Sequence, residues 1–395
     1  MLTHHPLTHG LALIIGIFVF VAVTVSLLRT VVVPRPLRSN YTDLIFGIFI
    51  GSCNALSRLA RTYRGKDAIL AWGGPLLILG MLIGWLLGYL VAFAFWMFGL
   101  SHDHTLSEAF LQAGSSLFTL GLLGPENDKF IVLDFAAAAT GPIVIAMLIG
   151  FLPSVYSTYV AREQAITDLS LASGEPMWAP EWIARTQMAE ALDSFNTRLD
   201  EWAAWATMLR LTHATYPVLL YVRSPRYTRH WVVALIALLD TAALLTSLTK
   251  QIAHRSVFHM LLHGTQALDT LYLLFFAKRP WRTRIPIVGR VIERQAVLPP
   301  YNTFSVPSWE ERLTAVHEAA ALDSAQGLMN IHVEDLIVGE SQPIQVTREE
   351  FESAARMLEE AGVPIERSLD EAWEMFQTIR VRYEFPAYEI AKRLT

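Results

Sequence analysis

A single cysteine among 395 residues excludes an internal disulfide, and no metal-ligand spacing surrounds Cys53, so it reads as a buried, inert thiol. Charge is scarce as well: 17% of residues are charged, the formal net charge is -5, and no dense basic stripe is present. That excludes nucleic acid as a partner. The first residues lack the basic segment and small-residue cleavage site of a secretory signal, so the apolar run over residues 10–28 is expected to stay as a membrane helix. No helix carries arginine at every third position, which argues against voltage sensing. No G-x-G-x-x-G follows a strand, and no nucleophile elbow, zinc-protease motif or carboxylate pair supports an enzyme. No cofactor or metal is implied. His4, His5, His9, His102 and His104 read as solvated loop histidines, with a metal or proton site around Asp103 the weaker alternative.

Apolar surface is abundant: 53% of residues are hydrophobic and the mean hydropathy is +0.37, too apolar for an ordinary soluble chain. It is unevenly spread. Residues 1–160 hold nearly all membrane-length runs, whereas the C-terminal part is acidic and amphipathic. Four parts are expected: 1–67, a transmembrane helix and an interfacial helix; 68–162, a helix, loop and helix; 163–306, a cytoplasmic helical domain, membrane-associated as an option; and 307–395, a soluble helical domain.

Residues 10–33 match the roughly 20 residues needed to cross a hydrocarbon core of about 30 Å, and Pro34 and Pro36 stop the helix. Arg29, Arg35, Arg38, Arg58, Arg61, Arg64 and Lys66 cluster after it, which places this loop in the cytoplasm and Met1 outside a cell membrane. Residues 41–59, with Asp43, suit a helix lying in the inner interface, a short span being the alternative. The run over 68–100 is too long for one straight crossing, and Gly73, Gly74 and Pro75 are expected to break it. Within it, Gly80, Gly84 and Gly88 form a small-residue face for close helix approach. The third span is expected over residues 135–159, ending near Arg162. Residues 182–222 read as a helix pair ending at Pro217. Residues 231–248 and 257–276 contain Asp240, His259, His263 and Asp269, so buried helices are favoured over two more spans, with a hairpin dipping into the membrane left open. Residues 277–306 read as a surface linker, followed by helices capped at Ser308, Thr347 and Ser368 ahead of Glu311, Glu350 and Glu371.

Residues 105–125, TLSEAFLQAGSSLFTLGLLGP, are short and only half apolar, and they lie between two long hydrophobic runs. Irregular backbone at membrane depth is tolerated only where protein buries it or where it lines an aqueous path. Thr105 and Glu108 form a capping box that starts a short helix. Its C-terminal end carries partial negative charge and, repeated around an axis, favours a cation. Thr119, Leu120, Gly121, Leu122, Leu123 and Gly124 follow, a turn-prone strip whose carbonyls and Thr119 hydroxyl are candidates to replace part of an ion's hydration shell. Glu126 and Asp128 would ring the outer mouth, or form a solvated acidic turn. Pro142, Gly150 and Pro153 are candidate positions for an inner gate, since proline permits a helix to bend.

Two membrane helices bracketing a pore helix and then a Thr-x-Gly strip resemble the pore module of potassium-channel-like tetrameric cation channels, whose strip usually reads TVGYG followed by Asp. Thr119, Leu120 and Gly121 match the first three positions, and Ser115 and Ser116 lie where those families place hydroxyl residues at the pore-helix end. Leu122 replaces the aromatic, Leu123 is an extra residue and Pro125 replaces the acid. The resemblance covers residues 68–162. It implies a homotetramer in the lipid bilayer that conducts monovalent cations, potassium foremost. The expected fold is an all-α membrane protein of three transmembrane helices with a re-entrant pore helix and filter loop, plus a helical cytoplasmic domain. A non-conducting membrane-anchored scaffold or sensor, and a secondary transporter, are the rival readings.

Overall fold

Among the described residues, four helical stretches are long and apolar enough to cross a membrane: Thr8–Val31, Arg64–Leu100, Ile131–Ser173 and Trp231–Leu248. The computed structural model describes residues 6–33, 39–101, 105–122, 128–189, 192, 194–226, 228–250, 252, 254–276 and 346–394. Every regular element among the described residues is helical, so the chain is an all-α membrane protein. Pro34, Arg35, Pro36, Arg38, residues 102–104, residues 123–126, the 277–306 linker and the cap expected at Ser308 lie outside the described residues.

Helix α1 (Pro6–Val31) runs antiparallel along α4 (Gly73–Leu100). His9 at one end stacks on Phe98, while Ser26 further along accepts a hydrogen bond from Trp85 Nε1 at 3.2 Å. Hydroxyls in this apolar setting find partners, as burial demands: Thr24 meets the Tyr89 hydroxyl at 2.9 Å and Ser26 meets Thr42 at 2.7 Å. Helix α2 (Asn40–Ser57) fills the small-residue face of α4. Phe49, Ile45 and Tyr41 sit on Gly80, Gly84 and Gly88 in turn, and the Tyr41 hydroxyl donates to the Gly84 carbonyl. Matching intervals of four residues align α2 with α4 over two turns, because a Cβ at any of the three glycines would collide with the facing side chain. Helix α3 (Tyr63–Leu70), capped by the Thr62 hydroxyl, ends just before the expected break, and Pro75 lies in the first turn of α4.

Helix α5 (Leu106–Leu117) is the short helix expected after Thr105. Helix α6 spans Asp128–Ser173, 46 residues. At 1.5 Å per residue it is about 69 Å long, far more than a hydrocarbon core of about 30 Å. The span expected over 135–159 is thus the middle of a longer helix, which continues through Pro142 and Pro153. Helices α1, α2, α4, α5 and α6 share one core around Trp85, Phe93, Ala113, Leu117 and Val144.

Beyond Arg162 the chain forms α7 (Ala179–Ala189), α8 (Ser194–Thr215), a 3-10 turn at Pro217–Leu220, α9 (Trp231–Leu248) and α10 (His254–Phe276). The last helices, α11 (Arg348–Glu360) and α12 (Leu369–Leu394), are not set apart. Residues 1–275 and 346–395 form one compact unit, in which α12 packs along α9 and α11 against α7. Protein covers 83% of the most apolar stretch of α9, against 28% for α1, 44% for α4 and 28% for α6. Its acid Asp240 accepts from Arg380 Nε at 3.0 Å and from the Tyr383 hydroxyl at 2.6 Å. Arg367 Nη1 donates to the Thr246 carbonyl at 2.7 Å, satisfying an orphan group at the C-terminal end of α9.

Candidate functional site

Helix α5 lies between α4 and α6, and its start is the predicted capping box. Glu108 N donates to the Thr105 hydroxyl at 3.3 Å, and Thr105 N donates to the Glu108 carboxylate at 2.7 Å. Ala109, Ala113 and Leu117 face the shared core. Gln112 and Ser116, one turn apart, face Asp134 of α6. Gln112 Nε2 donates to both carboxylate oxygens at 3.0 and 3.1 Å, and Ser116 Oγ donates to Oδ1 at 2.5 Å. Two turns further along α6, Gly141 receives the Leu117 carbonyl so closely that a Cβ there would overlap its oxygen. One carboxylate and one missing side chain therefore fix α5 against α6.

The helix ends in a left-handed turn. Leu120 N bonds the Ser115 carbonyl at 2.8 Å and Thr119 N bonds the Ser116 carbonyl at 3.0 Å, the nested pair that closes many helices, with Thr119 at φ 53° where glycine is usual. A left-handed backbone costs an ordinary residue about 1–2 kcal/mol, and here the β-branched Thr119 bears it. Gly121 follows at φ +64° with open space around it. Leu122 N then donates to Ser115 Oγ at 3.0 Å. In a trans peptide the carbonyl points opposite the next N–H. Since Leu120 N and Leu122 N point back to α5, the Thr119 and Gly121 carbonyls point away from it. All four residues of this turn, 119–122, are exposed, Leu120 by 59% and Leu122 by 75%. Of the other sequence candidates, Leu123, Gly124 and Glu126 lie outside the described residues, and Asp128 is the first residue of α6.

Along α6 a continuous exposed stripe of mostly small residues runs at intervals of three and four: Ile143, Ala146, Gly150, Pro153, Ser157 and Ala161. Gly150 and Pro153 belong to it, and Pro142 is exposed beside Ile143. Next, α6 carries Arg162, only 4% exposed, into the helical part that follows. Its guanidinium donates to the Leu219 carbonyl at 3.0 Å, the Val222 carbonyl at 2.8 Å and Glu163 at 2.9 Å, and lies 3.1 Å from His213 Nε2. An arginine only donates, so Nε2 accepts and Nδ1–H donates to the Leu209 carbonyl at 2.9 Å. Burial and then the Arg162 charge hold His213 well below the ordinary histidine value, and the ring is neutral.

Sequence reasoning missed the roles of Gln112, Asp134, Gly141 and Arg162. The available signals were the four-residue interval between Gln112 and Ser116, and charges at 134 and 162 flanking an apolar run.

Together these features define a helical membrane protein with a capped short helix and an exposed turn wedged between two long apolar helices. No protein family, curated protein or solved structure matches the chain.

Proposed function

We propose that this protein is a homo-oligomeric channel through which monovalent cations pass passively, with the turn at residues 119–122 at the narrow part of the path and α6 lining the rest. The observation that carries the reading is the exposed turn, its Thr119 and Gly121 carbonyls directed away from the helix that anchors it. One turn cannot surround an ion. Copies arranged about an axis would present converging carbonyls and helix C-terminal ends, both favouring a cation. Such packing would also cover Leu120 and Leu122, apolar side chains exposed at the tip. By the family resemblance the number of copies is four and potassium the first candidate ion.

The stripe on α6 supports the same reading, because small side chains at 146, 150 and 161 leave room along an axis. In this arrangement α1, α4 and α6 cross the membrane with Met1 outside. Helix α9 is an internal helix of the cytoplasmic part, since protein rather than lipid covers it and Asp240 has protein partners.

Ion flux from liposomes containing the purified protein tests the proposal. Cation flux is expected, and a reversal potential in mixed potassium and sodium reads selectivity. Replacing Gly121 by valine is expected to abolish flux with the oligomer intact, because φ +64° is barred to a β-branched residue without strain. A wild-type protein silent under all voltages, tensions and pH values leaves a scaffold or sensor as the reading. Undiminished flux in Gly121→Val removes the turn from the path.

A further inference from the structure

We infer that Asp134 is the positioning residue of the narrow turn and the link through which α6 governs it, an inference that rests on the channel reading above. Three hydrogen bonds converge on its carboxylate from two side chains of α5, Gln112 and Ser116. Gln112 is 7% exposed, so its amide depends on this partner. Hydrogen bonds to an ionised acceptor are roughly twice as strong as neutral ones, which makes the carboxylate a firm anchor in apolar surroundings.

The anchor sits one residue from the groups that shape the turn. Ser116, which donates to Asp134 through its side chain, accepts Thr119 N through its carbonyl. Ser115, its neighbour, accepts Leu120 N through its carbonyl and Leu122 N through its hydroxyl. A shift of Asp134 thus reaches the turn through one peptide unit. The second tie from α6, Gly141 against the Leu117 carbonyl, lies on the same face two turns on and makes α5 follow any tilt of α6.

Asp134 shares α6 with Pro142, Pro153 and Arg162. The carboxylate that holds the turn and the buried Arg162 joint thus belong to one helix. The geometry assigns Asp134 the task of holding the narrow turn in one shape from α6.

The test compares the full-length protein with Asp134→Asn, Asp134→Glu and the double variant Gln112→Leu/Ser116→Ala, all in liposomes. Asp134→Asn keeps the volume but loses the charge, and the double variant removes the donors while leaving the acid. Both are expected to lower potassium flux at least tenfold and to shift the reversal potential in mixed potassium and sodium, with the oligomer intact by size-exclusion chromatography. Asp134→Glu, which retains a carboxylate, is expected to recover at least a third of the flux. A purely structural role would change stability and leave the reversal potential of the surviving channels untouched. A conducting wild type whose variants match it in flux and reversal potential overturns the role of Asp134 alone; a silent wild type overturns the channel reading and this inference with it.

Discussion

Gly141 shows how much a single position decides here. Any Cβ at this site would overlap the Leu117 carbonyl oxygen, and both sides of the contact are backbone, so no side chain can yield. Overpacking of this kind costs about 1–3 kcal/mol. Gly141→Ala is expected to lower the melting temperature in detergent, whereas Gly10→Ala, whose Cβ would meet nothing within 4 Å, is not. Equal melting temperatures for the two variants would mean that α5 and α6 do not touch as described. The small-residue run at 136–141 was visible in the sequence, but which member faced a backbone was not. A helix can turn any side toward its neighbour, and the facing carbonyl belongs to a residue of α5 that sequence spacing does not relate to it. The same holds for Asp134, an acid at the edge of an apolar run in the sequence, which the fold places against Gln112 and Ser116.

Among the elements, α5 was the most legible and α9 the least. The capping box of Thr105 and Glu108 is a local hydrogen-bond arrangement, and local chemistry is written in adjacent residues. The close approach expected at Gly80, Gly84 and Gly88 is also present, with α2 as the occupant. Helix α9 is different: Asp240 favours a buried helix over a span, but nothing in its run of Leu and Ala says which element covers it. What covers it is α12, whose Arg380 stands 140 residues from Asp240 in the chain. The Arg380 side chain is 6% exposed and that of Asp240 16%. Breaking a buried pair by removing one partner costs about 3–5 kcal/mol, while replacing both by apolar residues can be neutral. Asp240→Ala is therefore expected to destabilise the protein by about 3 kcal/mol in chemical denaturation, a lower figure in that range because Glu384 still holds Arg380. Asp240→Leu/Arg380→Leu is expected to recover only part of the loss, because the buried Tyr383 hydroxyl then loses its acceptor and Glu384 its arginine. A single variant as stable as wild type would contradict the packing of α12 on α9.

For the molecule as a whole, the joint at Arg162 makes stability depend on pH. His213 is fully buried and neutral, held well below the ordinary histidine value by burial and then by Arg162. The unfolded chain takes up a proton near pH 6.5 while the folded chain does not. The contribution is thus complete above about pH 6.5 and is lost as pH falls below it, at about 1.4 kcal/mol per pH unit. Melting in detergent from pH 7.5 to 5 is expected to show this acid slope, and His213→Gln, which can still accept from Arg162, is expected to reduce it, the remainder coming from His230, which burial and then Arg223 hold at about 3. A slope identical in the two proteins would place the sensitivity elsewhere. By itself the sequence determined the helical class, the membrane character, the capped start of α5, the break before α4 and the turn-prone strip after Ser116. Each of these follows from local propensity, from the length of apolar runs or from turn chemistry. Only the tertiary structure decided that α2 fills the glycine face of α4, that α9 is sheathed by α12, that Asp134 holds α5 and that Arg162 is buried, because each depends on which distant side chain completes a hydrogen bond or fills a space.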